Sequence, residues 1–192
     1  MDLLANFFIR YQPMFLKLID PVVVTLWRLG LGRLFNLWPT VSGRIMVMKH
    51  FDHKNGIQIF TPMNFIERDN IIYCTDQRGQ ISDWVQNIMA NPQVEVWLPD
   101  GWYAGQADLV DPSTDRLSLL RSFLVENPIF FRISGIDPQS EDREFESAVE
   151  NYPLARIMRQ SPRTGVNGPG GLAWMWPFIL MFLLGLRPRK RR

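Results

Sequence analysis

At Gly43 the spacing of apolar residues changes from a helical period to alternation, and this change limits what the chain can build. Beyond it, RIMVMKHF (44–51), IQIFTPMNF (57–65) and IIYCT (71–75) read as strands. They are separated only by the polar turns DHKNG (52–56) and ERDN (67–70). Turns this short join antiparallel neighbours, because a parallel pair needs a crossover of about a dozen residues. Pro62 lacks a ladder donor, so the second run is predicted to be an edge or bulged strand. QVEVWL (93–98) and GWYAGQADLV (101–110) form a hairpin around Pro99-Asp100-Gly101. A short helix with Ser82 as its N-cap, closed by Asn91-Pro92, lies between the two groups of strands. Asp111-Pro112 opens another helix to about Glu126, and the acidic stretch 140–152 reads as a solvated helix. The predicted class is therefore α+β: an antiparallel sheet curling into a small barrel with inserted helices.

The two ends of the chain differ from this body. Residues 3–38 repeat apolar side chains three and four apart (Leu3, Leu4, Phe7, Phe8, Tyr11, Phe15), and the pattern restarts after Pro21. They form amphipathic helices that either pack on their own domain or lie in a membrane interface. SPRTGVNGPGG (161–171) reads as a linker. It leads into LAWMWPFILMFLLGL, fifteen residues without a charge, and then RPRKRR. A bilayer crossing needs about twenty apolar residues, so this run is short for a span. Two tryptophans at one end and five cations at the other nevertheless favour a membrane anchor with its basic end in the cytoplasm, over a buried terminal helix. The expected organisation is helices over 1–38, a barrel domain with peripheral helices over 39–160, a linker over 161–171 and an apolar helix with a basic tail over 172–192.

Those five terminal cations exceed the net charge of the whole chain, +2, so the body is slightly acidic and excludes a nucleic-acid-binding face. Cys74 is the only cysteine, which rules out an intramolecular disulfide and a thiolate metal cluster. His50 and His53 lie three apart without ligand company, so no metal site is expected. A reducing, cytoplasmic setting fits, and Asp2 stands where a cleavable signal would be basic. There is no catalytic triad, Walker loop or dinucleotide-binding glycine pattern. Two turns could hold an anion. DHKNG offers Lys54, Asn55 and Gly56; TDQRG offers Thr75, Gln77, Arg78 and Gly79 directly before a helix N-terminus. Asp76 and Asp83 oppose this by bringing negative charge to the same region.

DHKNGIQIFTPMNF, IIYCTDQRG and SDWVQNIMANPQVEVWL together resemble the deazaflavin (F420)-dependent nitroreductase family of split β-barrels, relatives of pyridoxamine-phosphate-oxidase-like flavin-binding proteins. The resemblance covers about residues 40–110, and Trp84, Asn87, Ala90, Asn91 and Pro92 are its most specific part. It implies an antiparallel split barrel of the FMN-binding type. It also implies that Lys54, Asn55, Gly56, Gln77, Arg78 and Gly79 hold the phosphate end of a cofactor, with Thr61, Pro62, Met63, Cys74 and Thr75 bordering its ring. Trp84 and Asn87 would fix the phosphate turn. The cofactor so implied is coenzyme F420, with FMN second and none as the remaining case. Two departures weaken phosphate binding: Asp52 replaces the family's first turn glycine, and Ile59 stands where many members carry a second arginine. The expectation is an oxidoreductase acting on a small lipophilic acceptor such as a quinone. The alternative is a non-catalytic membrane-associated barrel that binds a ligand or forms a homodimer. Tyr73, His53 and Tyr103 are candidates for moving a proton, and the pattern selects none of them.

Overall fold

A computed structural model describes residues 19–76, 82–111 and 115–185, without the side chains of 41, 42 and 183. Helix α1 covers 19–28, and a 3₁₀ turn, Gly32–Asn36, leads to the short helix α2, Pro39–Ser42. The strands follow: β1 (Arg44–Phe51), β2 (Gln58–Arg68), β3 (Ile71–Thr75), β4 (Gln93–Leu98), β5 (Gly101–Leu109) and β6 (Leu154–Pro162). Helix α3 (Asp83–Ala90) separates β3 from β4. Between β5 and β6 lie α4 (Arg116–Glu126), α5 (Pro128–Ser134) and α6 (Asp142–Val149), and α7 (Trp176–Gly185) follows β6. The six strands close into an antiparallel barrel in the order β1-β2-β3-β6-β5-β4.

The alternation of β1 sorts its side chains into two environments. Met46 and Met48 point inward and join Phe65, Ile72, Cys74, Val94, Val96, Ala107, Ala155 and Ile157 as the barrel core. Val47 points outward and packs with Trp97 against Trp27 of α1. On the opposite wall, Ile66 and Leu154 are covered by Leu120 and Phe123 of α4, Phe130 of α5, and Phe145 and Val149 of α6. Helices therefore coat two sides of the barrel, each supplying apolar residues at helical spacing to an outward strand position.

Pro62 sits opposite Val47 on β1, while β3 pairs with β2 only from Phe65 onward. Over 58–63 no described strand covers the other edge of β2, so a residue without an N–H costs no ladder bond there. This is the edge position that the proline predicts. Besides the single turn α2, two elements have no counterpart in the reading of the sequence. One is α5, which starts at a proline and ends at Gly135 in the left-handed conformation (φ 69°). The other is β6, which closes the barrel. Its inward face has only Ala155 and Ile157 to mark it, and arginines interrupt the rest. Those arginines are paired across the sheet: Arg156 with Asp108 at 2.8 Å, and Arg159 with Asp100 at 2.8 Å and with Glu67. The stretch between β6 and α7, read as a linker, follows the body closely. Arg163 N–H donates to Trp102 O (2.7 Å), Gly170 N–H to Trp27 O (3.0 Å) and Leu172 N–H to Arg28 O (2.7 Å). Among the described residues, no helix is long and apolar enough to cross a membrane.

Candidate functional site

Antiparallel pairing puts the end of β1, the start of β2 and the end of β3 at one end of the barrel. Both polar turns singled out in the sequence leave the sheet there. Helix α3 closes the same end, inserting Trp84, Val85 and Ile88 into the barrel core. Asn87, on the same face of α3 and fully buried, is bonded to both histidines. Its Oδ1 accepts from His53 backbone N–H (2.9 Å) and from His53 Nδ1 (2.7 Å). A backbone N–H can only donate, so this bond fixes the amide orientation. Asn87 Nδ2 must then donate to His50 Nδ1 (3.1 Å), leaving His50 Nε2–H to donate to Thr61 Oγ1 (2.9 Å). His50 is thereby held neutral, in one tautomer. Burial lowers its pKa from 6.5 to about 4, against the smaller opposing pull of Asp52 and then Asp83.

Asp76 is bonded to the N-terminal end of α3. Its Oδ2 accepts from Ser82 Oγ (2.9 Å) and Trp84 Nε1 (3.1 Å). Ser82 occupies the N-cap position but makes no side-chain cap bond; its hydroxyl is spent on Asp76 instead. Trp84 thus ties Asp76, and Asn87 the turn 52–56, to the one helix. Gln77, Arg78 and Gly79 lie outside the described residues.

The predicted site residues fall into three groups. Lys54 and Asn55 are exposed, in a turn that Gly56 completes with φ +70°. Thr61, Met63 and Cys74 share the inward face of the barrel: Thr61 lies opposite Met48, Met63 opposite Met46, and Cys74 opposite Phe65. Pro62 and Thr75 are on the other face, Pro62 opposite Val47 and Thr75 opposite Leu154. Cys74 is fully enclosed, and burial, with a smaller push from Asp76, raises its thiol pKa to about 12, so it is no nucleophile. Thr75 Oγ1 is buried and has no hydrogen-bond partner among the described residues.

The fit of turn 52–56 to a phosphate is partial. Most of its N–H groups are already used: Asp52 N–H by Ile57 O (2.8 Å), His53 N–H by Asn87 Oδ1, Lys54 N–H by Asp52 Oδ1 (3.4 Å) and Gly56 N–H by Asp52 O (2.8 Å), and just beyond the turn Ile57 N–H is taken by Asn55 Oδ1 (2.9 Å). What the turn presents outward is therefore the exposed Lys54 side chain and not a cradle of N–H donors. Open clefts of about 530, 340 and 210 Å³ occur elsewhere, and none of these is lined by Lys54, Thr61 or Thr75. Sequence reasoning gave His50 no role. Its signal was its phase: it shares the inward parity of Met46 and Met48, where an imidazole needs a partner.

Neither a family model nor a curated protein matches the chain. Among solved structures it is similar to General Stress Protein 26 from Bacillus anthracis str. Sterne, at 21% identity and a TM-score of 0.43, over 60% of this chain and 79% of that one. It is also similar to an F420-H2 dependent reductase (15% identity, TM-score 0.45, 63% of this chain and 97% of that one). A third is a FAD-binding protein from Mesorhizobium loti (14% identity, TM-score 0.42, 65% and 86%). With TM-scores and identities this low, the likenesses carry no argument about activity or cofactor.

Proposed function

We infer that the protein is a flavin- or deazaflavin-dependent oxidoreductase, taking coenzyme F420 first and FMN second. The observation that carries this reading is that turn 52–56 and Asp76 are both held by α3 at the barrel end it closes, beside the edge of β2 over 58–63 that no described strand covers. The family resemblance of the same residues supports it. Lys54, with Arg78 from the second turn, would hold the cofactor's phosphate, and the cofactor when bound would supply the hydride chemistry. The chain's own part is to bind and orient. Neutral His50 and the buried amide of Asn87 keep turn 52–56 in place against α3. The acceptor is a small lipophilic molecule of the quinone type.

A second reading is favoured by the bonds within turn 52–56: a turn whose N–H groups are mostly spent internally suits a barrel that binds no phosphate and works as a non-catalytic module. Titration with F420 and, separately, FMN, followed by cofactor fluorescence, decides between them. The first reading expects saturable binding of one cofactor that weakens about tenfold or more in Lys54→Ala/Arg78→Ala, as loss of two charge-assisted contacts requires. Binding unchanged in the double variant would move the phosphate elsewhere. No binding of either cofactor would leave the non-catalytic module.

A further inference from the structure

Helix α7 is exposed where a helix of its composition should be buried. Phe178, Leu180, Met181, Phe182 and Leu184 are 53–67% exposed, with Trp174 at 65% just before them. From Pro177 to Leu184 no side chain is polar, so the helix has no face suited to water. Its start is fastened to the body: Trp176 Nε1 donates to Leu29 O (2.9 Å), next to the bonds from Gly170 to Trp27 and Leu172 to Arg28. Trp27 in turn packs on Val47 and Trp97 of the barrel wall. The apolar helix is therefore carried on a mount continuous with the barrel.

We propose that α7 lies in the plane of an anionic membrane surface and docks the barrel onto it, without crossing the bilayer. Two observations choose this occupant. The first is charge: Arg187, Arg189, Lys190, Arg191 and Arg192 follow the apolar run at once. A second copy of the chain packed on α7 would account for the apolar side chains alone, whereas anionic headgroups engage the apolar side chains and the clustered cations together. The second is length. The ten residues Trp176–Gly185 make a helix of about 15 Å, and even the whole apolar run 172–186 that follows the polar, glycine-rich stretch would reach only about 22 Å, against a hydrocarbon core of about 30 Å. The proposal is independent of the cofactor reading, because membrane partition needs no cofactor.

The test is flotation of the full chain with vesicles of pure phosphatidylcholine or of phosphatidylcholine mixed with phosphatidylglycerol. Binding is expected on the anionic vesicles, about tenfold or more weaker on neutral ones, and reduced by salt. Phe178→Ser/Phe182→Ser should abolish it with the thermal transition unchanged, since both side chains are exposed in the folded protein. In-plane geometry is read from probes on Phe178→Cys and Gly185→Cys, seven residues apart and so on one face of α7, quenched by lipids labelled at different depths; the enclosed Cys74 does not compete for label. Equal depths support the proposal. A depth difference approaching the helix rise between the two positions, about 10 Å, would mean a crossing orientation and overturn it. It is also overturned by failure to bind anionic vesicles, or by a dimer in solution that the double serine variant dissociates while vesicles bind neither form.

Discussion

His50 shows how much one buried side chain can decide. Its imidazole is enclosed between β2 and α3, accepting from Asn87 and donating to Thr61, an arrangement possible only for the neutral ring. A proton on Nδ1 would set two donors against each other. Because the folded pKa is lowered from 6.5 to about 4, the unfolded chain takes up the proton first as pH falls. Stability is unaffected by this group above about pH 6.5, declines between 6.5 and 4, and levels off below, a total of about 3 kcal/mol. Urea midpoints measured from pH 7.5 to 4 should therefore show a steeper decline in the native chain than in His50→Gln, whose side-chain oxygen can still accept from Asn87. Parallel profiles would show that the ring is not held neutral. The amide of Asn127 does comparable work at the other side of the barrel: it is fully buried, accepts from Arg44 N–H (3.2 Å) and Asn64 Nδ2 (3.1 Å), and donates to Phe123 O (2.9 Å). Gly43, with φ +74°, runs so close that a Cβ there would fall 2.1 Å from Asn127 Oδ1.

Among the elements, β6 carries the barrel's closure, and its fit to β5 depends on a missing side chain. A Cβ on Gly105 would stand 2.8 Å from Ile157 Cγ2 and 3.2 Å from Met158 O, next to the register shift between Tyr103 and Gly105. Gly105→Val should therefore push β5 from β6 at a cost of about 1–3 kcal/mol, lowering Tm by roughly 2–10 °C for a chain of this size. An unchanged melting curve would mean that this contact does not hold the seam. Several elements were legible beforehand because each carries its own local signal. β1 has clean alternation, α3 has its apolar spacing and an Asn-Pro stop, and the β4–β5 hairpin has Pro-Asp-Gly. β6 shows little alternation, since Ala155 and Ile157 are its only residues inside the barrel and its arginines find their partners far away in sequence.

For the molecule as a whole, Cys74 is a reporter of barrel opening. It is fully buried inside a closed barrel, and its thiol is held far from ionising. Reaction with a thiol-specific disulfide reagent at pH 8 should proceed at the rate of global unfolding and accelerate with denaturant along the unfolding limb. Rapid labelling in the native state would show that the barrel opens locally between β2 and β3.

The candidate site divides along the same line as the fold. That the chain is an antiparallel α+β barrel, that Pro62 sits on an edge, and that Lys54 and Asn55 lie in a surface turn follow from period, proline chemistry and turn composition. These properties act within a few residues of one another, so they are written in the order of the amino acids. Which side of the wall Thr61, Pro62, Met63, Cys74 and Thr75 face, and which N–H groups of the turn 52–56 are already used, could not be read that way. The first depends on which strands pair and in what register, because successive side chains point to opposite faces. The second depends on an asparagine thirty-four residues away taking the His53 N–H, and on Asp52 and Asn55 folding back on their own turn. Likewise, the apolar run near the C-terminus was plain as composition. That it is mounted on α1 through Trp176, and left exposed, emerges only once the barrel has brought residues 29 and 176 together.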